Sequence, residues 1–118
     1  MARLNHLTLF VRDRRTARDW YVSNLNLEVE FEVPETGTTA IRDPADFTLF
    51  LTERQPADDG PRCVLYFQVD DVDDDYRRLR QRGAEVAHLP RATLWGYGPE
   101  VIDPDGHVVR LWDQRSVR

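Results

Sequence analysis

The first apolar pattern along the chain is an alternation. Residues 4–11 read Leu-Asn-His-Leu-Thr-Leu-Phe-Val, with Leu7, Leu9 and Val11 on one face and His6, Thr8 and Phe10 on the other. A period of two predicts a strand. Its second face mixes an imidazole, a hydroxyl and a phenyl ring, so it is more than a solvated face. The period then lengthens. Ala17, Trp20, Tyr21 and Leu25 keep helical spacing, which predicts a helix capped by Asp13 and running to about Asn24, with Asn26 as a left-handed C-cap. Alternation returns over 27–33 as a half-exposed strand. A turn at 34–37, a short strand over 38–42, a turn at 43–46 and a strand over 47–52 follow.

After a polar Pro- and Gly-bearing linker at 54–62, the same order runs again. Residues 64–69 alternate, with Leu65, Phe67 and Val69 opposite Val64, Tyr66 and Gln68. Asp71 caps a second helix. Its first turn carries Asp73, Asp74 and Asp75 and its later turns Arg77, Arg78, Arg80 and Arg82, the charge order a helix dipole favours. Val72, Tyr76 and Leu79 are its predicted core residues, and Gly83 stops it. A strand over 84–89, the region of Trp95 to Tyr97, and a last strand launched by the Asp103-Pro104-Asp105-Gly106 turn complete this half. His107 is read as a solvent-facing turn residue.

The repeat shows in the numbering. Val11 and Val69 are 58 apart, Val29 and Val86 are 57 apart, and Asp43/Asp103 and Leu51/Leu111 are each 60 apart. Each half therefore reads strand, helix, then three strands. A half of this size cannot bury its own sheet face, so the halves are expected to pair. The predicted class is α+β: one domain of two βαβββ modules, module one at 1–53, linker at 54–62 and module two at 63–118.

Composition changes this picture little. One domain suits 118 residues, and 41% hydrophobic content suits a globular chain. A formal net charge of -5 argues against nucleic acid as partner, and no apolar run approaches membrane-spanning length. The N-terminus lacks a signal-peptide core, and the lone Cys63 allows no internal disulfide, so a cytoplasmic location is expected. Arg12, Arg14 and Arg15 cluster at the start of the first helix, as a solvated basic patch or an anion site.

Strand alternation gives an inward-facing set on the four central strands: His6, Thr8 and Phe10; Thr48, Phe50 and Thr52; Val64, Tyr66 and Gln68; Val108, Arg110 and Trp112. Aromatic rings with a few oriented polar groups suit a flat, partly polar organic molecule. Phe10 and Phe50 are alternatively plain packing, and His6 a structural histidine. Arg110 is the strongest functional candidate, because a charge on such a face is costly unless paired or wet. Its partner is expected to be a ligand, Glu53, Asp113 or water. Trp95 and Tyr97 are read as a pocket rim.

Five segments together resemble the vicinal oxygen chelate superfamily, the group of glyoxalases, bleomycin-resistance proteins and extradiol dioxygenases. They are Leu-Asn-His-Leu-Thr-Leu-Phe-Val-Arg-Asp (4–13), Trp-Tyr (20–21) before Leu-Asn-Leu-Glu (25–28), Arg-Gly-Ala-Glu-Val (82–86), Trp95-Gly96 and Asp-Pro-Asp-Gly-His (103–107). The resemblance spans nearly the whole chain. It implies βαβββ modules whose curved mixed sheets enclose a shared cavity, and in many members a homodimer. In the family's metal enzymes four ligands come from middle strands. The matching positions here are His6, Phe50, Val64 and Arg110, and of these His6 alone can ligate a metal. His88, His107, Glu53, Glu100 and Cys63 are other ligand types without a spacing that joins them to His6.

The resemblance thus points to the metal-free, bleomycin-resistance-like branch: a small-molecule binding protein, with no metal and no cofactor, for a planar aromatic or drug-like ligand, as in antibiotic sequestration. The expected ligand-binding residues are His6, Thr8, Phe10, Phe50, Tyr66, Gln68, Trp95, Arg110 and Trp112. The alternative is a lyase, isomerase or dioxygenase using His6 and Arg110 or a rearranged metal site. Neither membrane nor nucleic acid is an expected partner.

Overall fold

The computed structural model describes residues 4–54 and 62–114, which leaves most of the expected linker, 55–61, outside the described residues. The chain divides into two compact units at Pro61/Arg62. The elements run β1 (His6–Val11), α1 (Arg14–Leu25), β2 (Glu28–Val33), β3 (Thr38–Arg42) and β4 (Thr48–Glu53), then β5 (Val64–Gln68), α2 (Val72–Gln81), β6 (Glu85–Thr93), β7 (Gly96–Ile102) and β8 (Val108–Trp112). The fold is α+β. A single 3-10 turn at Pro34–Thr36 joins β2 to β3.

Each unit is one helix on one four-stranded mixed sheet. The first sheet has the order β1-β4-β3-β2 and the second β5-β8-β7-β6. β1 lies parallel to β4 and β5 parallel to β8, while the remaining pairs are antiparallel. In the first unit Leu9, Ala17, Tyr21, Ile41 and Leu51 are fully buried. In the second, Val72, Leu79, Val101, Val109 and Leu111 are. Leu51 and Leu111, the pair 60 apart, thus hold the same core position.

Three acidic positions recur in both units, and each answers a specific need of the backbone. The first is the helix N-cap. Asp13 Oδ1 accepts from the Arg15 and Thr16 N–H groups at 2.9 and 3.2 Å. Asp71 Oδ1 accepts from Asp73 and Asp74 at 3.1 and 3.2 Å. The second is the acid that ends or follows the last strand. Glu53 Oε2 accepts from the Arg14 N–H at 3.3 Å, and Asp113 Oδ2 from the Val72 N–H at 2.7 Å. Together they satisfy N–H groups that a helix start leaves without partners. Removing the cap alone, as Asp71→Ala, is expected to lower stability by about 1 kcal/mol in urea denaturation. Asp71→Ser should recover most of that loss.

The third is the turn before the last strand. Asp43 Oδ1 accepts from the Ala45 and Phe47 N–H groups, both at 2.9 Å. Asp103 Oδ1 accepts from Asp105 and His107, at 2.8 and 2.9 Å. The left-handed residue is Asp46 (φ 64°) in one turn and Gly106 (φ 87°) in the other.

Several expectations change. His107 is not solvent-facing: it is 1% exposed, and its Nδ1 accepts from the Cys63 N–H at 3.0 Å. It takes the turn position that Phe47 holds in the first unit, where the side chain folds inward. Trp20 is only half-buried and packs edge-on against Tyr21, while Asn24 joins Ala17 and Tyr21 as a buried residue of α1. Asn26 does adopt the left-handed C-cap, at φ 56°. The Arg14 side chain is neither a solvated patch nor a free anion site. It is 12% exposed and lies 3.5 Å from Glu32 and 3.7 Å from Glu53. β6 and β7 are longer than expected, running to Thr93 and Ile102. No helix among the described residues is long and apolar enough to cross a membrane.

Candidate functional site

In each unit the helix covers one face of the sheet and leaves the other open. On the second unit's open face four side chains form a row across all four strands. Tyr66 on β5 pairs in register with Arg110 on β8, Arg110 with Glu100 on β7, and Glu100 with His88 on β6. Neighbouring strands lie roughly 5 Å apart, so residues in register touch through their side chains. Arg110 Nε donates to Glu100 Oε2 at 2.7 Å and Nη1 donates to the Tyr66 hydroxyl at 2.6 Å. His88 Nε2 lies 3.9 Å from Glu100 Oε2. Hydrogen bonding to Glu100 outweighs desolvation and, with Tyr66, raises the guanidinium above its ordinary basicity. Arg110 therefore stays cationic at any physiological pH.

Trp95 completes this cluster from the two-residue β6–β7 turn, Leu94-Trp95. Thr93 fastens that turn: its hydroxyl accepts from the Trp95 N–H at 3.2 Å and donates to the Gly96 carbonyl at 2.5 Å. The indole lies 6.0 Å from the Tyr66 ring and 6.2 Å from the His88 ring, centroid to centroid. Arg110 Cζ is 5.6 Å from the Trp95 ring and 5.3 Å from the Tyr66 ring, within cation–π range of both.

The equivalent row in the first unit has different chemistry. Thr8 on β1 pairs with Phe50 on β4, Phe50 with Ala40 on β3, and Ala40 with Phe31 on β2. Phe31 and Phe50 lie 6.0 Å apart, and His6 meets Phe50 edge-on at 5.4 Å. The His6 Nδ1 bonds to Asn5 Oδ1 at 2.7 Å. Phe10 lies under the Arg54 guanidinium, 4.9 Å from its centroid. Phe10 and Phe31 remain 43% and 44% exposed, so this unit presents open aromatic rings. A cleft of about 270 Å³ beside Asn26, Pro44 and Arg42 is lined by acids already engaged: Asp43 holds its turn, and Glu28 and Asp46 pair with Arg42.

The predicted site residues therefore fall into two groups. Tyr66, Arg110 and Trp95 come together in the second unit, and His6 with Phe50 in the first. Thr8 joins the first row, while Phe10 is paired with Arg54. Gln68 and Trp112 are register partners two positions beyond the Tyr66–Arg110 pair, and the Trp112 Cβ lies beside Gly96. Arg110's partners among the described residues are Glu100 and Tyr66, not Glu53 or Asp113, which serve the helix starts. Glu100 and His88 are the members that the strand pattern alone did not assign. A signal for Glu100 was present. A hairpin closed by Asp103-Pro104-Asp105-Gly106 pairs residues equidistant from its centre, and 100 and 110 are such a pair.

Of the positions that the resemblance assigned to metal ligands, Phe50 and Val64 offer no donor atom, Arg110 is a cation bonded to Glu100, and His6 Nδ1 is bonded to Asn5, so three of the four side chains bring nothing a divalent ion could use. Among the described residues no three His, Cys, Asp or Glu side chains group as metal donors. The Cys63 thiol is pushed up by burial and by the Asp103 charge, which favours its protonated form.

Comparison with known proteins agrees with this architecture. The family model described as Glyoxalase/Bleomycin resistance protein/Dioxygenase superfamily matches residues 3–111. The chain is similar in structure to TnmS3, an antibiotic binding protein from Streptomyces sp. CB03234, with 28% identity, TM-score 0.80 and 96% of each chain covered. It is also similar to a member of the same superfamily from Sphaerobacter thermophilus, with 24% identity, TM-score 0.80 and coverage of 97% and 98%. A lactoylglutathione lyase from Agrobacterium tumefaciens shares the fold at 18% identity, TM-score 0.78 and coverage of 98% and 96%. No curated protein sequence matches the chain.

Proposed function

The chain belongs to the Glyoxalase/Bleomycin resistance protein/Dioxygenase superfamily, and from that premise we propose that it is a metal-independent small-molecule binding protein, a cytoplasmic homodimer that holds a planar aromatic, drug-like ligand. The observation that carries this reading is the Tyr66–Arg110–Glu100–His88 row with Trp95 packed beside it. Three rings and one flat guanidinium offer stacking surface, and a few fixed polar atoms orient what is stacked. The first unit carries exposed aromatic rings of its own, Phe10 and Phe31. The donor set at the four metal positions favours binding over the chemistry of the metal enzymes. Similarity to an antibiotic binding protein supports sequestration as the role of that binding.

Tryptophan emission tests the reading. Flat polycyclic natural products should quench the wild-type protein saturably at micromolar concentration. Trp95→Phe should lose most of the quenching and weaken binding about fivefold to tenfold, the loss expected of one stacking partner. Unchanged emission across a broad panel of such compounds would remove the basis for the proposal.

A further inference from the structure

We propose that the His88–Glu100 end of the row receives a hydrogen-bond donor from the ligand, so that the site selects uncharged flat rings bearing an O–H or N–H over aromatic carboxylates. The inference rests on the ligand-binding reading above and specifies the class of ligand.

His88 fixes the polarity of that end. Its Nδ1 lies 2.8 Å from the Leu89 carbonyl oxygen, which can only accept. This assigns the ring proton to Nδ1 and leaves Nε2 of the neutral imidazole with an open lone pair. The polar atom facing Nε2 is Glu100 Oε2, at 3.9 Å, also an acceptor. Two acceptors are thus set side by side on side chains only 14% and 18% exposed. Arg110 supplies one N–H to that carboxylate, and none of the described groups supplies a donor to Nε2. Half-buried acceptors gain most from a donor that arrives with an apolar body.

Arg110 does not offer the charge that a carboxylate ligand would seek. Glu100 neutralises it at 2.7 Å, so the row carries no net charge while His88 is neutral. An incoming carboxylate would also meet the Glu100 oxygens. At the other end the polarity is reversed. Tyr66 Oη accepts from Arg110 at 2.6 Å, which leaves its own proton to donate outward. The row therefore reads donor at Tyr66 and acceptor at His88, with the Trp95 ring about 6 Å from each. A fused ring system with a carbonyl at one edge and a hydroxyl at the other matches this order.

Three coumarins test the assignment by quenching of tryptophan emission in the full chain at pH 7.2. 7-Hydroxycoumarin carries the acceptor and the donor, 7-methoxycoumarin lacks the donor, and coumarin-3-carboxylate adds a negative charge. The hydroxy compound should bind about tenfold more tightly than either of the others. His88→Phe keeps a ring but removes the acceptor, and should bring the hydroxy and methoxy compounds within twofold of each other. His88→Gln restores an acceptor and should keep part of the preference, which covers the case in which the Phe variant does not fold. Equal binding of all three, tighter binding of the carboxylate, or a preference that survives in His88→Phe overturns the donor assignment alone. Absence of quenching by all three, and by the wider panel, overturns the ligand-binding reading itself.

Discussion

Gly98→Ala is expected to cost the second unit 3 kcal/mol or more, enough to drop the melting temperature by about 10 °C or to prevent soluble expression. Gly98 lies on β7, and the Leu111 backbone of β8 packs directly on its Cα. A Cβ built there would overlap the Leu111 carbonyl, with the Val72 methyl of α2 at 3.3 Å behind it. The obstructing atoms are backbone and core, so no side-chain rotation relieves the overlap. β7 would have to leave β8, and the Glu100–Arg110 pair would separate with it. Gly83→Ala is the matched control. Its Cβ would meet nothing within 4 Å, and only its φ of 76° opposes the change. About 1 kcal/mol is expected there. Thermal melts of the two variants under one condition measure the difference. Similar losses for both would mean that β7 and β8 can separate cheaply.

The second large effect compares two copies of one turn. Asp103→Ala should destabilise by about 3 kcal/mol and Asp43→Ala by about 1 kcal/mol, although each carboxylate accepts two backbone N–H groups at nearly the same distances. The difference is water. Asp103 is 4% exposed, and its turn-mates Asp105 and His107 are 8% and 1% exposed. Ala45 and Asp46 of the first turn are exposed, so water can replace the lost acceptor there. Urea denaturation of both variants reads the gap directly. Asp103→Asn should recover part of the loss, since an amide oxygen still accepts.

Most of the scaffold was legible because its signals are local. A cap needs a short acceptor at the helix start, and Asp13 and Asp71 provide it. A left-handed helix end needs Asn or Gly, and Asn26 and Gly83 stand there. Period-two alternation placed Tyr66 and Arg110 on the open face without any knowledge of their neighbours. What stayed hidden depends on non-local pairing. The sequence pattern marked only the region of Trp95 to Tyr97, yet β7 runs on through Gly98, whose close approach to the Leu111 backbone leaves no room for a Cβ. Once β7 runs through to Ile102, Glu100 falls beside Arg110 and His88 beside Glu100. His107 misled for a related reason. A polar residue after a turn reads as solvated, but the matching Phe47 marks that position as one whose side chain turns inward.

The two rows have parted in chemistry while the turns, caps and core leucines beneath them have not. Thr8, Phe50, Ala40 and Phe31 occupy in one copy the places of Tyr66, Arg110, Glu100 and His88 in the other. The stabilising acids work at strand and helix ends, away from these places. One copy thus carries a mainly apolar row, with Ala40 fully buried, and the other an ionic one on the same scaffold. In the second unit the side chains of the row can therefore be exchanged without touching the turn, cap and end-of-strand acids that hold its backbone.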